Sequence, residues 1–349
     1  MKITVIGQGY VGLTVALFAS KHINVVGFDL NEKLVSNLNL GKSHVEGISN
    51  EFIQSSINNE RYHATSDPLE IDGSDVVVIA VPTPLDKLRM PDLDYIQNAC
   101  EIIGKYLNNQ ALIINESTSF PGTVRNFIKP TVEKFSQVKE HLYAVSPERV
   151  DPGRIDWDQH NTPRLYSGLN DLATKKTKLF YEIFCDNLVE VSTPEIAEAA
   201  KLFENTFRQV NIALVNEFAQ ICEAMRIPVR EVLDAANTKP YGFMKFNPSA
   251  GVGGHCIPVD PSYLAYIANE HGVKAKFIEL ANQVNLNMGA YIVSRIKADN
   301  EGTLKDKEVQ LIGVAYKPNV SDVRETPAEL IIEKLLEEGA KVSWHDPIV

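Results

Sequence analysis

The sequence predicts an α/β protein in three parts: a parallel-sheet domain over 1–193, a long-helix region over 194–300 and the start of a second α/β segment over 301–349. Three observations carry this. Short β-branched runs alternate with helical patterns through the first part, a helical period holds from Glu195 to about Met225, and a fresh strand pattern appears at Val309–Val314. A chain of 349 residues is too long for one ordinary core. Hydrophobic content of 44% and charged content of 23% are those of a soluble globular protein, and a net charge of −11 argues against nucleic acid or an anionic membrane as main partner. The four cysteines, Cys100, Cys185, Cys222 and Cys256, show no CxxC pairing. Neither a metal site nor a disulfide framework is expected, and a reducing cytoplasm fits best. Glycines interrupt the N-terminus where a signal peptide would run apolar, and no apolar stretch is long enough to span a bilayer.

Taken in order, Lys2–Ile6 is an apolar, β-branched run stopped by Gly7-Gln8-Gly9-Tyr10-Val11-Gly12. A helical pattern follows with Val11, Val15, Phe18 and Ala19 on one face, then a second strand, Asn24–Phe28, closing on Asp29. Strand, GxGxxG, helix, strand and acidic residue form the dinucleotide-binding fingerprint of a Rossmann-type domain in its required context. Gly7 makes the tight turn, Gly9 lets the backbone approach a pyrophosphate, and Gly12 lets helix and strand pack closely. The pyrophosphate would lie over Tyr10 and Val11, at the helix N-terminus, where free N–H groups and the dipole favour an anion. Asp29 would accept from ribose hydroxyls and repel a 2′-phosphate, which favours NAD over NADP; its other reading is a plain helix cap.

Asp75–Val81 and Ala111–Asn115 are continuous apolar runs, as expected of parallel strands buried on both faces. The first ends in Pro82-Thr83-Pro84, where open α/β sheets place ligands. The second leads into Ser117, Thr118 and Ser119 ahead of a helix whose first turn holds Pro121; these hydroxyls either cap that helix or contact the nicotinamide ribose. Leu142–Val145 is a further strand, followed by Ser146-Pro147-Glu148-Arg149-Val150-Asp151-Pro152-Gly153, a polar cluster that judged alone reads more readily as a solvated loop than as a site. Pro194 opens the long helix, on which Lys201 and Asn205, four apart, share a face. A short helix is expected around Glu231, a turn-rich stretch over Asn237–Cys256, and a long helix near Lys274–Lys297. The last part reads as a strand, Tyr316-Lys317-Pro318, the pair Asp322 and Arg324, a helix from about Pro327 and a strand over Lys341–Trp344. Two strands and one helix do not complete a doubly wound sheet, so a C-terminal truncation is expected.

Gly251-Val252-Gly253-Gly254-His255-Cys256-Ile257-Pro258-Val259-Asp260-Pro261 sets one thiol after three glycines, with a carboxylate four residues on. Glycines let the backbone take φ > 0 and come close to a ligand. A thiolate there would attack a bound carbonyl, its pKa lowered by His255 or a distant lysine. The alternative is a buried, inert cysteine.

Jointly, GxGxxG, SPERVDPG, the Lys201-to-Asn205 helix and GVGGHCIPVDP resemble the UDP-glucose/GDP-mannose dehydrogenase family over essentially the whole chain. The resemblance implies an NAD domain, a central helical region used for homodimerisation, and a C-terminal domain that helps bind UDP. It implies a four-electron oxidation of a sugar hydroxymethyl to a carboxylate, reducing two NAD, as for surface polysaccharide precursors. The family's nucleophile falls on Cys256 and its Asp on Asp260, the oxyanion-stabilising Lys on Lys201 and the adjacent Asn on Asn205. The acid of the hydrolytic step falls on Glu148 and the water-placing Thr on Thr118. Pro82, Thr83, Thr118 and Arg324 join the glycine loop and Asp29 on the cofactor side, and Arg149, Gly253 and Lys317 join Lys201 and Asn205 on the substrate side. SPERVDPG with GGHCIPVDP looks most like the branch acting on UDP-N-acetylhexosamines, UDP-N-acetylglucosamine above all, with UDP-N-acetylmannosamine or UDP-glucose as alternatives. Val259 stands where the UDP-glucose enzymes commonly carry Lys, and Lys239 or Lys245 would have to replace the family's cross-subunit Arg.

The chemistry asks for the same groups. An aldehyde has one hydride left and no second oxygen, so a thiolate must add before the second hydride leaves, and water then releases the acid. That requires one Cys, an amine for the developing oxyanion and a carboxylate to handle water. Two competing readings are a two-electron hydroxyacid-type NAD dehydrogenase with a structural Cys256, and a non-catalytic NAD-binding assembly protein.

Overall fold

The computed structural model describes residues 1–150, 156–254 and 256–349, so Asp151, Pro152, Gly153 and His255, named above, lie outside the described residues. The chain divides into two compact units, Met1–Leu202 and Phe203–Val349.

The first unit contains β1 (Lys2–Ile6), α1 (Tyr10–Ser20), β2 (Asn24–Phe28), α2 (Glu32–Asn39), α3 (Asn50–Asn58), β3 (Tyr62–Thr65), β4 (Val76–Ile79), α4 (Asp94–Tyr106), β5 (Leu112–Asn115), α5 (Lys129–Phe135), β6 (Leu142–Val145), β7 (Arg164–Gly168), α6 (Asp171–Tyr181) and β8 (Leu188–Glu190). One sheet runs in the order β3-β2-β1-β4-β5-β6-β7-β8. Every pairing is parallel except β6 with β7. The sheet is the Rossmann-type α/β architecture that the sequence predicts, with its reversal of strand order between β1 and β4.

Period-two alternation splits each strand between two apolar layers. Ile3, Val5, Val76, Val78, Leu112 and Ile114 face one core, with Leu13 and Leu17 of α1 and Phe180 of α6. Ile6, Val77, Ile79, Ile113 and Tyr143 face the other, with Ile96 and Ile103 of α4 and Val132 of α5. Burying each such aliphatic side chain contributes roughly 1.5–3 kcal/mol, so the continuous apolar runs are what hold the strand ends in place. The helix expected to begin at Pro121 starts later: a wide turn over Val124–Ile128 precedes α5, and Pro121 lies in the loop before it.

The helix α7 (Pro194–Ala224) begins in the first unit and continues in the second. The second unit adds α8 (Val229–Ala236), α9 (Asp260–Glu270), α10 (Lys276–Asp299), β9 (Glu308–Ile312), α11 (Pro327–Glu337) and β10 (Lys341–His345). Strands β9 and β10 pair in parallel, and Val293, Leu304, Ile331 and Leu335 form a small core between α10, α11 and the strands. Amides tie α7 to α10: Asn216 Nδ2 donates to Asn285 Oδ1 at 3.0 Å, and Gln209 donates to Asn282. Ser249 N donates to Asn216 Oδ1 at 2.8 Å, so the turn-rich stretch is pinned to the same amides.

Candidate functional site

The glycine loop divides its three glycines by purpose. Gly7 sits at φ +88°, where a Cβ would lie 2.5 Å from Ala80 O, and a Cβ on Gly12 would lie 1.8 Å from Gly7 O. Both are demanded by the chain's own packing. Gly9 differs, for a Cβ there would meet nothing within 4 Å. It caps α1 without a side chain of its own, so a ligand could come close to the backbone at the start of the helix. Asp29 Oδ2 accepts from Gln8 N at 2.8 Å and Oδ1 from Asn31 N at 2.9 Å. Each oxygen keeps lone-pair capacity for a ribose hydroxyl. Beneath the loop, fully buried Gln8 donates to Val5 O at 2.9 Å and accepts from Tyr62 Oη at 2.9 Å. An open helix N-terminus beside a held carboxylate fits a dinucleotide. Because that carboxylate would face a 2′-phosphate, the wild type is expected to use NAD and to discriminate strongly against NADP; Asp29→Asn should narrow the ratio of kcat/KM values. Equal wild-type activity with both cofactors would refute this.

At the ends of β4 and β5, three consecutive hydroxyls separate. Ser117 and Ser119 are buried: Ser117 Oγ donates to Val81 O at 2.8 Å, and Ser119 Oγ accepts from Asn115 Nδ2 at 3.1 Å. Thr118 between them is half-buried, and Thr83 across the way is likewise half-buried while Pro82 is exposed. None of the hydroxyls caps the next helical turn. A carboxylate far along the chain does so: Glu198 accepts from Gly122 N at 2.7 Å and Val124 N at 3.1 Å.

Glu148, on the loop that reads as solvated when judged alone, is 5% exposed. Its Oε1 accepts from Arg149 N and Val150 N, both at 2.6 Å; Oε2 accepts from Arg164 Nη2 at 2.9 Å and from Gln159. Arg164, itself 4% exposed, reaches Glu116 Oε1 at 3.1 Å and lies 4.6 Å from the Tyr181 ring centroid. Tyr181 Oη donates to Glu116 Oε1 at 2.5 Å. Burial alone would raise both carboxyls. For Glu148 the Arg164 charge, Gln159 and the Val150 N–H outweigh burial and hold it below the ordinary carboxylate value, whereas burial wins at Glu116 and raises it. Lys201 Nζ, nearly buried, donates to the main-chain oxygen of Glu148 at 2.6 Å. Arg149 points elsewhere, donating through Nη1 to Pro163 O at 2.8 Å.

In the second unit, Cys256 is exposed, while Cys100, Cys185 and Cys222 are buried. Burial pushes the Cys185 thiol up to about 11 and the Cys100 thiol higher still. Cys256 O accepts from Asp260 N at 2.8 Å and Val259 N at 3.2 Å, which closes the turn into α9. Asp260 is fully buried and accepts from Asn205 Nδ2 at 2.6 Å through Oδ2. The glycines before the thiol approach the chain itself. A Cβ on Gly253 would lie 2.7 Å from Tyr316 Cβ and 2.8 Å from Glu325 O; one on Gly254, at φ +82°, would lie 2.8 Å from the Tyr316 ring. Gly254 N donates to Arg324 O at 3.3 Å, Arg324 forks onto Asp322 at 2.7 and 2.9 Å, and Lys317 Nζ stands 5.6 Å from the Tyr316 ring centroid.

The first unit therefore gathers the glycine loop, Asp29, Pro82, Thr83, Thr118 and Glu148 at the carboxyl ends of its parallel strands, with Lys201 on Glu148. The second gathers Cys256, Gly253, Asp260, Asn205, Lys317 and Arg324. Sequence reasoning missed Gln8, Glu116, Gln159, Arg164, Tyr181, Glu198 and Tyr316. Only Glu198 left a readable signal, three residues before Lys201 on the same helix.

Three models of one family match the chain: the NAD binding domain of the UDP-glucose/GDP-mannose dehydrogenases over residues 1–185, the central domain over 195–287 and the UDP binding domain over 310–349. UDP-N-acetyl-D-mannosamine dehydrogenase of Methanococcus maripaludis is 36% identical across 99% of this chain and 79% of its own length. UDP-N-acetyl-D-glucosamine 6-dehydrogenase of Pseudomonas aeruginosa is also 36% identical, across 100% of this chain and 83% of its own. The solved structure of UDP-D-ManNAc dehydrogenase from Pyrococcus horikoshii covers 100% of this chain and 84% of its own, with a TM-score of 0.93 at 31% identity.

Proposed function

The chain belongs to the UDP-glucose/GDP-mannose dehydrogenase family, and from that membership we propose that it oxidises C6 of a UDP-N-acetylhexosamine to the acid through a thioester on Cys256. The family and its curated relatives make the chain an NAD-dependent nucleotide-sugar dehydrogenase. The observation that carries the finer reading is the isolation of Cys256 as the exposed thiol of four, on a turn braced by a buried carboxylate.

When bound, NAD supplies the hydride acceptor for each of the two oxidations. Lys201 holds the substrate oxygen as the hydroxyl passes its proton to water and its carbon gives up the first hydride; an ammonium has three donors, and Glu148 O takes one. Once the aldehyde exists, the Cys256 sulfur forms a bond to its carbon, giving a thiohemiacetal whose oxygen Lys201 again stabilises. Loss of the second hydride leaves a thioester. Water adds to that carbonyl, giving a proton to Glu148; the C–S bond breaks, and Glu148 passes that proton to the leaving sulfur. Thr118 holds this water. Glu148 takes its proton, and must first exchange one of its four donors for water. Asn205 and Asp260 fix the turn that aims Cys256, and Arg149, Gly253, Lys317 and Arg324 complete the nucleotide and cofactor contacts.

A homodimer through the central helices is supported by the exposed apolar row Phe203, Phe207, Leu214 and Ile221 along α7. Four cysteines, none of them in a disulfide, fit a reducing cytoplasm. Relatives named for the glucosamine and the mannosamine epimers are equally similar, so both are compared with UDP-glucose in the test. Each substrate is exhausted by the enzyme and NADH counted by absorbance. Two NADH per acetylated sugar consumed is expected. One NADH per sugar would replace the proposal with the two-electron reading, and no NADH from any UDP-sugar would leave the non-catalytic one.

A further inference from the structure

One turn before Lys201, α7 carries a carboxylate with no part in the chemistry above. Glu198 is 2% exposed and accepts from Gly122 N at 2.7 Å, Val124 N at 3.1 Å and Ser119 Oγ at 3.4 Å. Elsewhere this chain caps helices from the adjoining residue, with Asn31, Ser49 and Asn170 each accepting from an N–H three residues on. A local Asn or Ser would satisfy these N–H groups as well, without sinking a carboxylate whose pKa burial pushes up to about 8. What a local cap cannot do is join two elements. The turn gripped by Glu198 carries Thr118, and its other end is fastened by Ser117 Oγ to Val81 O at 2.8 Å and by Asn115 Nδ2 to Ser117 O at 3.0 Å. Thr118 thus stands between two anchored hydroxyls, and one of the anchors is the helix that bears Lys201, three residues away and on the same face.

We propose that Glu198 is a positioning residue for the oxidation, registering the turn that bears Thr118 against the helix turn that bears Lys201. The inference rests on the functional reading above. Misplacing reacting groups by an ångström costs up to about a hundredfold in rate, so a loosened register is visible in kcat. Glu198→Gln keeps the shape but turns one acceptor into an N–H facing another N–H; Glu198→Asp draws the carboxylate back by one methylene. Both, with Thr118→Ala and each double variant, are assayed as whole enzyme on the UDP-sugar that the wild type oxidises fastest. Thermal melting and NAD affinity by protein fluorescence serve as controls.

The expected result is a kcat lowered about tenfold or more in each Glu198 variant, with NAD affinity within about twofold of wild type. Added to Thr118→Ala, either Glu198 change should cost less than about twofold more, because the two act through one geometry. A folded Glu198→Gln with kcat near wild type overturns the inference, as do losses that simply multiply in the double variants. If Glu198→Gln does not fold, the Glu198→Asp cycle gives the same comparison; if neither folds, Glu198 is structural and the inference falls. A wild type that oxidises no UDP-sugar brings down the functional reading and this inference together, whereas an active wild type with multiplicative losses removes the inference alone.

Discussion

Cys256→Ala is expected to lose the conversion of a synthetic UDP-6-aldehydo-N-acetylhexosamine to its acid by roughly a thousandfold or more, the scale on which enzymes lose a covalent nucleophile. The aldehyde is supplied directly because the thiol enters only after the first hydride has gone. Folding and NAD affinity should survive: the side chain is exposed, and the glycine loop and Asp29 belong to the other compact unit. The contrast with the remaining cysteines sharpens the expectation, since Cys100 and Cys185 are held as thiols by burial and only a thiolate attacks a carbonyl well. Acid formed from the aldehyde by Cys256→Ala at near wild-type rate would make Cys256 a structural thiol.

Arg164→Leu should be the most destabilising single change in the first unit. It strands Glu116 and Glu148, both within 5% exposure, without their shared cation. Breaking a buried ion pair by removing one partner costs about 3–5 kcal/mol, which is a large part of a domain's stability. The measurement is the urea midpoint at constant m-value. Adding Glu116→Gln should recover part of the loss, because it removes one of the two uncompensated charges. A loss below about 1 kcal/mol would mean that water already reaches the cluster, as at an exposed pair.

These two residues also mark what could be read from the sequence and what could not. Cys256 announced itself through its glycines and Asp260, and the strands β1, β2 and β6 fell where their apolar runs stood, because a strand buried on both faces must be apolar throughout. Arg164 gave no signal. It lies on β7, whose RLYSG holds Arg and Ser at positions that are nonetheless buried, and its partners Glu116 and Glu148 lie 48 and 16 positions away on other strands' ends. β3 and β8 were hidden for related reasons: YHAT is half polar, and LVE is a short edge strand. Glycine was legible as a need for close approach, yet at Gly253 and Gly254 the approaching groups proved to be Tyr316, Glu325 O and the Pro327 ring. Local pattern states that space is required; only the fold says what fills it.

That last contact bears on protein engineering. Gly251, Gly253 and Gly254 leave no room for a Cβ because Asn285 O, Tyr316, Glu325 O and Pro327 already occupy it. The segment around the thiol is therefore one half of a matched pair of surfaces, and the other half lies about 35 to 75 positions downstream. A chimera that imports residues 251–261 from a relative, to transplant substrate preference, carries only one side of the joint. Exchanges in this family should be cut so that 251–261 and 314–327 travel as a single module, even though they are far apart in the gene.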